Sequence, residues 1–253
     1  MIVNDLEIFK EYVSSYDLND INIERKFYHS IRVRNNAKEI AESLNLTNDD
    51  VSLASFIGLT HDIGRFLQWK VYGTFADTKS IDHALLSVQV LFGKDYKCGF
   101  NISDVDANVI RVAIYNHNKY KVQDDVTKRE LLFANIVRDA DKVDLLYLLG
   151  EEDIPINEDG SEVTSVIHDA FMRHESITIT ECKAKTDYVL VKLAFVFDLN
   201  FVKSFEIVDR EKLLDKFYDN LKYKDKYKKY YLYAKEFIEK RKNADSSYKM
   251  FIE

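Results

Sequence analysis

Helix-breaking residues are scarce along this chain of 253 residues, which contains one proline, Pro155, and seven glycines. Folds rich in strands and tight turns need glycine or proline at many positions, because these residues punctuate the chain where it reverses direction. Long helices tolerate few of either, since proline breaks a helix interior and glycine weakens it. The sequence therefore predicts an all-α protein built from long helices.

Composition and charge narrow the classes of function. A net charge of -7 argues against a general binder of nucleic acid or of anionic membranes. No apolar run is long enough to span a bilayer, and the segment MIVNDLEIFK lacks the basic and apolar regions of a secretion signal. Cys98 and Cys182 lie in unrelated segments and form no CxxC pair. We therefore expect reduced thiols in a cytoplasmic protein.

Apolar residues recur at helical spacing along the part of the chain before Gly150. Capping residues and glycines mark the expected ends of each helix. The expected helices are a short one near residues 4–15, a long one from about Ile23 to Leu44, one that follows a cap at Asn48–Asp50 and runs into THDIG, one capped by Ser80 and closed by Gly93, one over residues 104–116, and one from Thr127 to Gly150.

The residue pattern changes after Gly150, where an acidic segment that we expect to be a loop contains Pro155. Three features are expected beyond the loop: a helix from Ser161 to about His174, a strand-like stretch ITITECKAKT that is either a hairpin arm or an irregular connection, and a buried apolar segment from Thr186. The tail from Leu221 to Lys242 combines a tyrosine-rich stripe with basic residues, and we expect its aromatic face to pack on the body of the protein rather than on membrane or RNA. We therefore predict a single domain spanning residues 1–253, with a core at about 23–150 and a helical extension at about 151–253.

Four of the six histidines and two aspartates form one ordered series, H-x31-H-D-x20-H-x33-H-x23-D. Each member lies on a helix face that otherwise reads as apolar, and a fold tolerates buried polar groups only where something satisfies them. Imidazole and carboxylate are the ligands that Mn, Fe, Co, Ni and Zn prefer. The remaining histidines, His168 and His174, lie outside the series and are expected to face solvent or to cap locally. The series predicts a metal centre formed by His29, His61, Asp62, His83, His117 and Asp141.

The series, together with the segments HDIGR, SIDHA, AIYNHN and IVRDADKVD, resembles the HD-domain superfamily of metal-dependent phosphohydrolases over residues 25–150. The resemblance implies a helical bundle with additional C-terminal helices. It implies that His29, His61, Asp62 and Asp141 bind one divalent ion, with Asp139 as the alternative to Asp141. It also implies that His83 and His117 bind a second ion that Asp62 bridges. The chain has no Gly-Tyr-Pro motif, so cleavage of cyclic dinucleotides is not expected.

Two bound ions would make hydroxide available near neutral pH. This hydroxide would be placed to attack a phosphomonoester or phosphodiester substrate, which we expect to be a nucleotide. The expected catalytic residues are Asp62, Arg65 and Lys142, because cations beside the ligands would stabilise the charge of the transition state. The segment from Gln68 to Asp77 is expected to cover the pocket. The residues expected to contact the substrate are Arg65, Tyr72, Asn118, Lys119 and Lys142.

Two other functions are compatible with the same residues. One is a di-iron oxygenase, since the same six ligands can hold iron on this scaffold. The other is a nucleotide-binding module without catalysis, which we rank last because such modules usually lose ligands and none is missing here. The sequence leaves open the identity of the metal, the exact substrate and the oligomeric state.

Overall fold

The computed structural model describes residues 5–94, 98–151, 156 and 158–243. Over these ranges the chain forms α-helices and short 3₁₀ segments and no β-strand, which confirms the prediction of an all-α fold. Pro155 and its acidic loop lie largely outside the described residues. The first seven helices are α1 (Asp5–Ser14), α2 (Ile21–Ser43), α3 (Asn48–Thr60), α4 (Gly64–Tyr72), α5 (His83–Phe92), α6 (Asp104–Asn116) and α7 (Lys128–Glu151).

The chain divides into two compact units, Met1–Asp141 and Lys142–Glu253, and the division falls within α7. This division lies nearer the N terminus than residue 150, where the sequence predicted that the core ends. That the chain forms a single domain stays a prediction. Among the described residues, none of the helices combines the length and the apolar character that a membrane crossing requires.

The first unit is built from helix pairs in contact: α2 with α3, α4 with α5, and α6 with both α3 and α5. The helices pack through buried apolar side chains such as Phe9, Val33, Ile57 and Phe66. This packing brings the ends of α3, α5 and α6 close to the middle of α2. The unit is therefore a frame in which residues far apart in sequence can meet.

Two helices of this unit begin at a different cap from the predicted one. The cap of α3 is Thr47, whose hydroxyl accepts the backbone N–H of Asp50, and Asn48 is already helical. The cap of α5 is Asp82, whose carboxylate accepts the N–H of Ala84, so the helix begins at His83. Ser80 is not the cap, because its hydroxyl is occupied elsewhere: it donates to the carbonyl of Ala76.

Gly64 lets α4 approach α5 closely. A Cβ at this position would lie 2.6 Å from the backbone nitrogen of Ser87, which cannot move without moving α5. We expect Gly64→Ala to lower the free energy of unfolding by about 1–3 kcal/mol, the usual cost of overpacking a core. Urea unfolding followed by circular dichroism measures the loss. The control is Val105→Ala, an exposed position on α6, where a change within about 0.5 kcal/mol is expected; equal stability of the two variants would contradict the prediction.

The second unit contains the remaining helices, and one predicted helix start needs correction there. The helix predicted from Ser161 begins at Ser165. The stretch ITITECKAKT forms a 3₁₀ turn at Ile179–Glu181 and no strand, so it is an irregular connection. The reason is local capping: Glu181 accepts the backbone N–H of Thr178, which closes the turn. The helices are α8 (Ser165–Met172), α9 (Lys185–Leu193), α10 (Val202–Arg210), α11 (Leu213–Asp219) and α12 (Lys224–Lys242), with a further 3₁₀ segment at Ala194–Asp198.

Helix α12 packs on α9, α10 and α11. Its side chains Tyr227, Tyr230, Ala234 and Ile238 are buried, which agrees with the prediction that the aromatic stripe packs inward. The two histidines outside the series also join this packing. Nδ1 of His168 lies 3.0 Å from the hydroxyl of Tyr230, and the ring of His174 contacts Phe197, Tyr233 and Phe237. The expectation of solvent exposure or local capping holds for His174, which is exposed and closes the end of α8 through a bond from its N–H to the carbonyl of Phe171. His168 is half-buried against Tyr230.

Candidate metal centre

Six side chains of the first unit converge at one place, although they span more than a hundred positions of the sequence. Helix α2 carries His29 in its middle, the turn between α3 and α4 carries His61 and Asp62, His83 is the first residue of α5, His117 follows α6, and Asp141 lies on α7. The four imidazoles and Asp62 are buried, and the side chain of Asp141 is 16% exposed. The structure thus brings together the six residues named by the sequence series.

The first group of donors surrounds Oδ2 of Asp62. Nε2 of His29 lies 3.4 Å from this oxygen, and Nε2 of His61 lies 3.7 Å from it. The same two nitrogens lie 3.3 Å and 3.6 Å from Oδ1 of Asp141 and 3.2 Å from each other. Two imidazoles and two carboxylates therefore face one small volume.

The second group surrounds the other oxygen of Asp62. Nε2 of His83 and Nε2 of His117 each lie 3.5 Å from Oδ1 of Asp62, and they lie 3.0 Å from each other. Oδ1 is buried and has no hydrogen-bond partner. A buried carboxylate oxygen without a partner is costly, so its position opposite two imidazole nitrogens calls for a cation.

The spacing of these donors fits divalent ions. Ligands bound to one ion at about 2.0–2.2 Å lie about 2.9–3.6 Å apart at right or tetrahedral angles. The distances in both groups span 3.0–3.7 Å, which needs little adjustment. Two sets of three residues, one of His29, His61 and Asp62 and the other of Asp62, His83 and His117, bring their donor atoms close enough to hold a metal ion.

Hydrogen bonds fix the orientation of three imidazoles. Nδ1 of His61 lies 2.8 Å from the carbonyl of Gly58, and Nδ1 of His117 lies 2.6 Å from the carbonyl of Ile114. A carbonyl oxygen only accepts, so each Nδ1 carries the hydrogen and each Nε2 keeps its lone pair for an ion. Nδ1 of His83 faces a carboxylate instead, Oδ2 of Asp77, at 2.6 Å.

The protonation states also suit a metal centre. Burial lowers the pKa of His117 to about 4, so its ring is neutral near pH 7. Burial acts to raise the pKa of Asp62, but the Lys26 ammonium and the neighbouring histidines outweigh it and hold that pKa well below its usual range. Burial likewise acts to raise the pKa of Asp141, and the neighbouring His29 and His61 outweigh it and hold that pKa well below its usual value. The cluster thus offers a neutral imidazole at His117 and ionised carboxylates at Asp62 and Asp141, the forms that bind metal.

Arg65 lies beside the cluster but is engaged by other groups. Its Nη1 donates to the carbonyl of Phe75 at 2.7 Å, to Oε1 of Gln68 at 2.8 Å and to Oδ1 of Asp77 at 3.1 Å. Its Nε lies 3.6 Å from Oδ1 of Asp62, and its side chain is only 14% exposed. These contacts favour a structural role over the substrate contact expected from the sequence.

Asn118 and Lys119 lie at the His83 side of the cluster. Both donate to the carboxylate of Asp82, Asn118 at 3.1 Å. Nδ2 of Asn118 also lies 3.5 Å from Nδ1 of His83. The amide of Asn118 is therefore near the second group of donors, and Lys119 contacts the same carboxylate as Asn118. Their roles in substrate binding stay predictions.

The other two predicted substrate residues are Tyr72 and Lys142. Tyr72 is 49% exposed at the end of α4. Lys142 belongs to the second unit, where its ammonium pairs with Asp198 at 2.7 Å. Their predicted roles in substrate binding, and that of Lys142 in catalysis, stay predictions.

Sequence reasoning missed Lys26, which lies one helical turn before His29 on α2. Its Nζ is 2.7 Å from Oδ2 of Asp62, and its side chain is 18% exposed. The signal was available, because residues three apart on a helix share a face. The ammonium also lies 5.7 Å from the centre of the Phe75 ring. Lys26 thus adds a positive charge to the edge of the cluster.

Residues 27–146 match the family described as HD domain, a range that contains all six residues of the cluster. No curated protein and no solved structure matches the chain.

Proposed function

We propose, from the HD domain that the chain carries at residues 27–146, that the protein hydrolyses a phosphomonoester or phosphodiester of a nucleotide. Members of the HD-domain superfamily are generally metal-dependent phosphohydrolases. One observation supports the proposal above all: the two oxygens of Asp62 face two separate groups of donors. A carboxylate placed in this way can bridge two ions.

The residues of the cluster would divide between two divalent ions. His29, His61, Asp141 and Oδ2 of Asp62 would hold one, and the second would be bound by His83, His117 and Oδ1 of Asp62. When bound, two such ions lower the pKa of water and offset the negative charge that develops on phosphoryl oxygens. Mn, Fe, Co, Ni and Zn all suit this mixture of nitrogen and oxygen ligands.

The chain's own cations complete the site. Lys26 lies at the Asp62 edge with its ammonium partly exposed, and Lys119 and Asn118 lie at the His83 edge. Donors on two sides of the cluster suit an anionic group with several oxygens, such as a phosphate. The half-buried ring of Phe75 lies close to Lys26 and packs on Trp69 with ring centres 4.9 Å apart. An apolar ring beside a cation suits the sugar or base of a nucleotide.

The test is a screen of nucleotides for phosphate or nucleoside release, under nitrogen, with each candidate ion added to metal-free protein. We expect hydrolysis that chelation abolishes and that Mn²⁺ or another ion restores. The matched control is His168→Ala, which removes a histidine outside the cluster and should retain activity. Activity only with iron and with consumption of dioxygen would contradict hydrolysis and favour an oxygenase.

A further inference from the structure

The segment between α4 and α5 provides a carboxylate to His83. Oδ2 of Asp77 lies 2.6 Å from Nδ1 of His83, the ring nitrogen opposite the one that faces Asp62 and His117. A carboxylate is a charged acceptor, and its hydrogen bonds are about twice as strong as those of a neutral group. The described Nδ1 bonds of His61 and His117 go to backbone carbonyls instead. His83 therefore has an acceptor of a different kind.

We propose that Asp77 is the positioning residue of the second metal position, acting through His83, and that Arg65 acts through Asp77 rather than on the substrate. The proposal rests on the proposed function insofar as it assumes two metal positions. The hydrogen bond fixes the plane of the His83 ring and makes its Nε2 a stronger donor to an ion. Asp77 would therefore control the affinity of the position formed by His83, His117 and Asp62.

The two oxygens of Asp77 have separate partners. Oδ2 accepts from His83, while Oδ1 accepts from Nη1 of Arg65 at 3.1 Å and from Nε2 of Gln68 at 3.0 Å. A carboxylate held at one oxygen by two donors cannot rotate freely, so the other oxygen stays directed at the imidazole. The arrangement is a chain from Arg65 and Gln68 through Asp77 to His83.

Gln68 and Arg65 also hold the backbone of the segment that carries Asp77. The side chain of Gln68 is fully buried, and its Nε2 donates to the carbonyl of Ile81 at 3.0 Å and to Oγ of Ser80 at 2.9 Å. Nη1 of Arg65 donates to the carbonyl of Phe75. Contacts on both sides of Asp77 thus set where its carboxylate lies. An arginine with this many protein acceptors on one nitrogen is better suited to holding a loop than to binding a phosphate.

The test compares Asp77→Asn with Asp82→Asn by titrating metal-free protein with Mn²⁺ in a calorimeter. Both substitutions remove one negative charge near His83, and asparagine keeps the cap of α5 that Asp82 provides. We expect Asp77→Asn to weaken one of two binding steps by about 10–100-fold and to leave the other unchanged, the usual cost of losing such a partner. Asp82→Asn should leave both steps near wild type, since Asp82 does not bond the His83 ring.

A second variant separates the two roles of Arg65. Arg65→Met should weaken the same Mn²⁺ step as Asp77→Asn. It should leave the affinity of the metal-loaded protein for inorganic phosphate within about twofold, because loss of a direct hydrogen bond from Arg65 to phosphate would lower that affinity much more. The inference is overturned if Asp77→Asn binds both ions as the wild type does, if the wild type shows a single binding step, or if Arg65→Met loses phosphate affinity with unchanged Mn²⁺ binding. None of these readouts needs turnover. Protein that binds two ions in this pattern but hydrolyses no nucleotide would refute the proposed function alone.

Discussion

Replacing Asp62 with alanine is expected to remove both metal ions while leaving the helices intact. Each oxygen of Asp62 faces one group of donors, so the substitution deletes a ligand from both positions at once. Hydrolysis should fall by more than about 10³-fold, since removing even one charge-stabilising group from an enzyme site has a cost of this order. Elemental analysis of protein purified without oxygen measures the ions, and circular dichroism measures the helical content.

The metal-free Asp62→Ala protein should be less stable than metal-free wild type near pH 7. The low pKa of Asp62 means that folding favours its ionised form, which Lys26 and the neighbouring histidines stabilise. Lys26 is partly exposed and can turn to water after the substitution, so the helices should survive the change. Asp49→Ala, at an exposed carboxylate at the start of α3, is the control and should keep both ions. Two equivalents of metal in Asp62→Ala would show that this carboxylate does not bridge.

Replacing Lys26 with methionine is expected to change two affinities in opposite directions. The ammonium lies 2.7 Å from Oδ2 of Asp62, where it competes with an ion for the same oxygen. Its removal should tighten Mn²⁺ binding by about tenfold, which corresponds to about 1.4 kcal/mol. The same change removes a cation from the substrate side of the site, so kcat/KM should fall by about 10²-fold, as for loss of a charge-stabilising donor.

Lys26→Arg is the matched control, because it keeps the charge on the same turn of α2. It should restore most of the affinity of the metal-loaded protein for inorganic phosphate, while Lys26→Met should lose it. Calorimetric titration with Mn²⁺, followed by titration with phosphate, measures both quantities on one sample. Weaker Mn²⁺ binding in Lys26→Met, with unchanged phosphate binding, would assign Lys26 to holding Asp62 in place rather than to the substrate.

Local signals in the sequence were enough to predict the helical fold and the set of residues that converge. The scarcity of glycine and proline left few alternatives to helices, and each histidine of the series lay on an apolar helix face. Such faces turn toward a common core, so their polar members meet there. The helix ends were harder to predict. Asp82 rather than Ser80 caps α5, because several residues in a row could cap and only the path of the chain selects one.

Contacts made by the segments between helices could not be predicted. The pairing of Asp77 with His83 depends on how the segment after α4 folds, and it follows no periodic pattern. For a related reason, the sequence could not decide whether ITITECKAKT forms a hairpin arm or an irregular connection. The carboxylate of Asp187 accepts the backbone N–H groups of Lys183 and Ala184 at 2.9 Å, which turns the chain into α9. Side-chain capping of this kind outweighs a weak alternating pattern.

The most direct measurement is anomalous X-ray diffraction from crystals of the protein loaded with Mn²⁺. The account predicts two anomalous peaks about 3.5–4 Å apart, the usual separation in two-metal sites, on either side of the Asp62 carboxylate. His29, His61 and Asp141 should contact one peak, and His83 and His117 the other. A single peak, or two peaks that do not share Asp62, would contradict it.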